Sequence, residues 1–303
     1  MGHSLAKTIS RLTLEHMQKG NLLLGQCLSA VGWVGGTIPE VPDHPNLVEL
    51  SMSDVAGGGI ATGAALFGSK PIYVVRYQGF LWYNLISVVN YAAKSKEIWG
   101  VPCPIIVRAI SMEGGIGPVA GSSHISLAYK MPGVSISCPR TPKEYEEVWA
   151  HAVLGDDPYI ISEHRSSFLT EKEENYKVFD DPDVVLLPIS VPRGEINKAI
   201  ATIGSKLKVS VNPIVYLKPF LHFDTVVEVI KKSKFGAIVI DDDYTNGIAK
   251  SVAYDLMVES GKPVKVMGLK DRSAGFSKDT DNLPPSEGEI LKEIEEVTLC
   301  KIY

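Results

Sequence analysis

The sequence predicts an α/β protein: two three-layer α/β/α domains, each built on a mostly parallel sheet. Three observations carry this. Strand-like runs rich in Val and Ile alternate along the chain with longer helical stretches. Those runs lack the polar alternation of a sheet with one wet face, so helices are expected to cover both faces. A polar, charged and weakly periodic stretch, Ser166 to Asp183, divides the chain. It sets the expected domains at 1–183, with the linker at 166–183, and 184–303.

The elements follow in order. LAKTISRLTLEHMQK, residues 5–19, has apolar positions at helical spacing. After Asp54 comes a helix-like, glycine-rich patch, then KPIYVVRY as a strand. LWYNLISVVNYAAKSKEIWG is expected to be one long helix stopped by Gly100. CPIIVRAI reads as a strand, SSHISLAYKMPG as a short helix stopped by Pro132-Gly133, and VSISCPR as a strand. In TPKEYEEVWAHAVLG, Thr141 takes the N-cap, Pro142 the first helical position, and acids fill the first turn. PYIISEH is a strand. In the second half NPIVYLKPF, GAIVIDDD and PVKVMGL read as strands. FDTVVEVIKKSK, NGIAKSVAYDLMVESG and the tail after Pro284-Pro285 read as helices.

Composition narrows the function. The chain has 303 residues, 45% of them hydrophobic, enough for a large core. Its formal net charge is −5 and it has no basic run, so nucleic acid is not an expected partner. No apolar run reaches the roughly 18 residues of a membrane span, and no apolar leader is visible. Cys27, Cys103, Cys138 and Cys300 are scattered without a C-x-x-C spacing, which argues against a zinc knuckle and for a reducing, cytoplasmic setting.

Several motifs have two readings. Gly57, Gly59 and Gly63 form G-x-G-x-x-x-G, as in a dinucleotide loop. The strand that follows ends without a ribose-binding acid, which favours a glycine-rich helix packed closely on the sheet. Asp241 to Asp243 suit a hard cation, yet no further ligand spacing follows, so caps or solvated loop residues are the expectation and no metal site is assigned. His151 reads as a packing or surface residue. His124 stands apart among glycines and serines at a loop-to-helix junction, where active-site groups concentrate.

Taken in order, GWVGGTIPE, SMSDVAGGGIATGAALFGSKPIYVVRYQGF, VVNYAAK, MPGVSISCPRTPKEYEEVWAHAVLGDDPYIISEHR, IVYLKPF, IVIDDD and LPPSEGEI resemble one family over nearly the whole chain. It is the beta subunit of the thiamine-diphosphate-dependent 2-oxo acid dehydrogenases, and more broadly the transketolase-like pyrimidine-binding and C-terminal domains. The resemblance implies thiamine diphosphate bound between this chain and an alpha-type subunit. That partner would carry the pyrophosphate-binding domain and Mg2+, for which this chain has no motif, and the assembly would be an α2β2 heterotetramer. It implies a carboxylate on the aminopyrimidine ring nitrogen, a contribution of about 10²–10⁴-fold in rate. It also implies an aromatic stacked on that ring, worth about 0.5–1.5 kcal/mol beyond burial. Asp54 takes the carboxylate position, where the family has glutamate, one methylene longer. Phe80 takes the aromatic position and Met52 lines the pocket. His124 lies about one helical turn from the family's substrate-side histidine and is the second catalytic candidate. The expected reaction is cleavage or decarboxylation of a 2-oxo acid or ketose with transfer of the acyl or two-carbon unit. A split transketolase or carboligase, a non-catalytic assembly partner, and an NAD-binding α/β protein stand as alternatives.

Overall fold

The computed structural model describes residues 3–29, 32, 36–112 and 116–302. Trp33, Val34 and Gly35, within GWVGGTIPE, lie outside the described residues. The chain divides into two compact units, the first of residues 1–112, 119–173 and 217–219, the second of 113–118, 174–216 and 220–303. The main change of unit, at Glu173/Glu174, falls within the stretch expected to be a linker.

In the first unit, helix α1 (Leu5–Gln18) starts at Ser4, whose hydroxyl accepts from the Lys7 N–H, and it buries Leu5, Ile9, Leu12 and Met17. Two short strands escape the sequence reading: β1 (Leu23–Gly25) and β2 (Leu47–Glu49). Helix α2 (Asp54–Leu66) precedes β3 (Ile72–Val75). The expected long helix is broken: a 3-10 turn (Gln78–Phe80), α3 (Leu81–Asn84), a π-helical turn (Val88–Ala92) and α4 (Ala93–Trp99) follow one another. Asn84 supplies a local cause, because its side-chain amide donates to the Phe80 carbonyl and competes with the backbone ladder. Gly100 ends α4 in the left-handed conformation, as expected.

Then come β4 (Ile106–Ser111), α5 (Gly117–Ala120), α6 (Ser126–Tyr129), β5 (Ser135–Ser137), α7 (Pro142–Leu154) and β6 (Tyr159–His164). Thr141 and Glu144 form the capping box of α7, with Pro142 in its first turn. The sheet has the order β2-β1-β3-β4-β6-β5-β9, and every pairing from β2 to β5 is parallel. Its last strand, β9 (Tyr216–Lys218), comes from NPIVYLKPF, which the sequence reading placed in the second domain. Lys218 is fastened there by its ammonium, which donates to the Tyr129 and Met131 carbonyls.

The second unit holds β7 (Val184–Pro188), α8 (Arg193–Ile203), β8 (Val209–Val211), α9 (Phe223–Lys232), β10 (Ala237–Tyr244), α10 (Ile248–Ser260), β11 (Val264–Leu269) and α11 (Glu287–Thr298). Its parallel sheet runs β11-β10-β7-β8. Ile196, Ala199 and Ile203 of α8 and Ile290, Leu291 and Ile294 of α11 close one core over Val184, Leu186, Ile238 and Ile240. Helices α9 and α10 pack on each other and on the strands outside that cluster. Asp241–Asp243 depart from expectation. β10 runs through all three, and they are buried rather than solvated.

Candidate functional site

Strands β1 and β3 are neighbours, but the chain leaves β1 toward β2 on one side and β3 toward β4 on the other. The carboxyl ends of two such strands form the crevice in which open α/β sheets bind ligands. A pocket of about 210 Å³ lies there, lined by Gln26 and Cys27 after β1, Met52 and Asp54 around the start of α2, Val74 to Tyr77 at the end of β3, and Phe80 and Asn84. That volume is below the ~300–1,000 Å³ of sites for drug-sized ligands and suits one ring. Met52, Asp54 and Phe80, singled out from sequence, are therefore brought together in one cleft.

Asp54 is the first residue of α2, where the helix dipole favours a carboxylate. Its Oδ1 accepts from Gln26 Nε2 and Asn84 Nδ2, both at 3.1 Å. No described residue donates to its Oδ2. The Tyr73 hydroxyl in turn donates to Asn84 Oδ1. Burial first, and then the charge of Asp54, push the Tyr73 phenol well up from its ordinary value, so it stays a donor across neutral pH. Met52 is 81% exposed and forms the rim, with the Cys27 thiol 3.9 Å from its sulfur. Phe80 lies 6.2 Å from the Tyr77 ring, centroid to centroid, in a tilted arrangement. The Arg76 guanidinium sits 5.1 Å from the centre of that Tyr77 ring.

The glycines after Asp54 have a steric purpose. A Cβ on Gly57 would collide with the Tyr73 hydroxyl, and one on Gly58 with the backbone carbonyl of Asn84. Gly59 and Gly63 meet no such obstacle. The pair that matters is 57 and 58, not the spaced G-x-G-x-x-x-G, and it serves close packing.

His124 does not line this pocket. It is tied to it through Gln78, which precedes Phe80 in the same turn and is fully buried. Gln78 Nε2 donates to the Ala109 carbonyl and to Ser162 Oγ. Its Oε1 accepts from the Ser123 hydroxyl and the His124 N–H at 3.0 and 2.9 Å. One side chain thus holds the aromatic-bearing turn and the histidine loop over β4 and β6. His124 is half-buried, its ring nitrogen 3.3 Å from the Gly121 carbonyl.

Sequence reasoning missed Gln26, Tyr73, Gln78 and Asn84. Each is an ordinary polar residue in an apolar or aromatic context, and the side-chain partner that ties it to the site lies at least 11 positions away. A signal existed only in hindsight: a polar residue within a run such as YVVRYQGFLWYN needs a partner if buried. Among the described residues no group of three or more His, Cys, Asp or Glu is placed to hold a metal.

Residues 15–169, just over half of the chain, match the pyrimidine-binding domain of transketolase, and the chain belongs to that family. It is 23% identical to the pyruvate dehydrogenase E1 component subunit beta of Rickettsia bellii, over 84% of each chain. It is 26% identical to the acetoin:2,6-dichlorophenolindophenol oxidoreductase subunit beta of Cupriavidus necator, over 65% of this chain and 62% of that one. A split-gene transketolase, solved as an inactive beta4 tetramer, superposes with a TM-score of 0.75 at 12% identity, covering 99% of both chains. The last likeness is one of fold. No helix among the described residues is long and apolar enough to cross a membrane.

Proposed function

We propose that this chain is the beta-type subunit of a thiamine-diphosphate-dependent enzyme acting on a 2-oxo acid or ketose. Working with an alpha-type subunit in an α2β2 assembly, it passes on the resulting acyl or two-carbon unit. The observation that carries this is the carboxylate of Asp54. It stands in a ring-sized, largely apolar pocket beside Phe80, with one oxygen held by amides and the other without a donor among the described residues. That arrangement fits a planar aminopyrimidine, which presents a ring nitrogen to an acid and a face to an aromatic.

Bound thiamine diphosphate would supply the electron sink for cleavage next to a carbonyl. The residues of this chain do the rest. Asp54 Oδ2 holds or takes a proton at the ring nitrogen, Phe80 fixes the plane of the ring, and Met52 closes the rim against water. His124, on the loop fastened by Gln78, is the residue to move a proton on the substrate. The diphosphate and Mg2+ are assigned to the partner. A broad apolar surface supports a partner: Val55, Ile60, Trp82, Tyr83, Ile98 and Trp99 are each about half exposed or more.

The test is reconstitution with the co-purifying subunit, with cofactor occupancy verified. Asp54→Ala is expected to lower turnover by about 10²–10⁴-fold. His124→Ala is expected to slow turnover while thiamine diphosphate affinity stays nearly intact. Full turnover in the Asp54→Ala complex would rule out the assignment and leave the chain an assembly partner.

A further inference from the structure

We propose that Asn84, Gln26 and Tyr73 are positioning residues that dedicate a single oxygen of Asp54 to the pocket. The two amides hold Oδ1, the phenol holds the Asn84 amide, and Oδ2 is left to meet the ring nitrogen. This rests on the reading of Asp54 as the acid that binds the pyrimidine.

Asn84 is the centre of the arrangement. It is 4% exposed, and its amide nitrogen has two protons with two acceptors: Asp54 Oδ1 at 3.1 Å and the Phe80 carbonyl at 2.8 Å. The same group therefore sets the position of the acid and of the backbone that carries the aromatic. The orientation of the amide is not free. Tyr73, fully buried, donates its hydroxyl to Asn84 Oδ1. A flipped amide would set its NH2 against that hydroxyl and its oxygen against the Asp54 carboxylate. Gln26 supplies the second donor from the other side of the cleft, at the end of β1.

Both amides are neutral, so they fix the carboxylate without adding a charge. Rigid placement matters more for aspartate than for the longer glutamate, because a misplacement of about 1 Å costs on the order of a hundredfold in rate. The two glycines fit the same scheme. Gly57 and Gly58 leave room for Tyr73 and Asn84 at the first turn of α2, where any Cβ would push this network apart.

The experiment uses the full chain alone, because every residue concerned belongs to its first unit. The probe is 4-amino-2,5-dimethylpyrimidine, the cofactor's ring without thiazolium or diphosphate, titrated by NMR. Wild type is expected to bind and Asp54→Ala to lose at least tenfold in affinity. Asn84→Ala and Gln26→Ala are each expected to lose about 3- to 10-fold, the scale of one hydrogen bond. Asp54→Ala/Gln26→Ala should bind no more weakly than Asp54→Ala, because the Gln26 amide acts through Asp54 alone. Gln26→Glu places a second carboxylate against the first and should move the pH dependence of binding upward. A merely structural Gln26 would not do this. Gln26 lies in a half-buried loop, so its variants are informative even if Asn84→Ala fails to fold.

The outcomes separate cleanly. No binding by wild type, or equal binding by Asp54→Ala, overturns the reading of the pocket and this inference with it. Loss in Asp54→Ala with full affinity in both amide variants overturns the positioning role alone. A double variant weaker than Asp54→Ala also overturns it, because the amide would then touch the ring itself or hold the pocket open.

Discussion

Asp241, Asp242 and Asp243 are consecutive residues of β10, and none is more than 2% exposed. Burial, followed by the charges of Asp242 and Asp243, pushes the Asp241 carboxyl well above the usual carboxylate range. Asp241 Oδ1 also accepts from the Asp243 N–H at 3.3 Å. The unfolded chain releases this proton near the ordinary aspartate value, about 3.9, whereas the folded chain keeps it. Above that pH the native state binds the extra proton, so stability falls as pH rises, by up to about 1.4 kcal/mol per pH unit for one proton. Asp241→Asn keeps the shape but does not titrate. It should be more stable than wild type at neutral pH, and the gap should shrink toward pH 4, in urea unfolding across that range. Parallel pH dependence in the two proteins would refute this. The three acids were visible in the sequence, but their burial was not, because IDDD reads locally as a strand end running into solvent. Asp54 was singled out by the family resemblance, which rests on the joint order of several motifs rather than on the surroundings of one residue.

At the scale of elements, β4 and β6 are joined across the core of the first unit by a charged pair. Arg108 Nε and Nη2 donate to the two oxygens of Glu163 at 2.6 and 3.0 Å, and the Tyr145 hydroxyl of α7 donates to the same carboxylate at 2.6 Å. Arg108 is wholly buried and Glu163 is 2% exposed. Burial, then the Glu163 charge, holds the Tyr145 phenol well above its ordinary value, so it remains a donor. Removing one charge strands the other. Glu163→Gln should cost about 3–5 kcal/mol, read as a fall in melting temperature, whereas Tyr145→Phe should cost roughly 1–3 kcal/mol. Equal, small losses would show that Arg108 is served by other groups. A second tie closes α7, where the Lys70 ammonium donates to the Val153 and Gly155 carbonyls at 2.5 and 2.6 Å. The N-terminal cap of α7 could be read from T-P-K-E because capping is local. The partners of Arg108 and Lys70 stand 55 and at least 83 positions away and could not. The broken helix after Phe80 escaped for a different reason: its cause, the Asn84 amide on the Phe80 carbonyl, is local, but the apolar spacing runs on unbroken through it.

At the scale of the whole molecule, the exposed apolar side chains of α2, α3 and α4 set the behaviour of the isolated chain. Phe67 is 96% exposed and Trp82 63%, and surfaces of this kind mark interaction sites. The isolated chain should therefore self-associate, with a light-scattering mass above that of one chain. Phe67→Glu/Trp82→Glu should return it to a single-chain mass, and the co-purifying subunit should compete with self-association. A wild type that stays single-chain at every concentration would contradict this use of the face. Alternating strands and helices and the capping residues of α7 were determined by the sequence itself, because each depends on side-chain type and on spacing within one or two turns; the acid and the aromatic of the pocket were indicated only by the family resemblance. Tertiary structure alone decided that β9 completes the first sheet, that three aspartates are buried, and that Gln26, Tyr73 and Asn84 hold Asp54. Those outcomes depend on which distant backbone arrives alongside, and hydrogen bonding between buried groups carries no periodic trace in the chain that forms it.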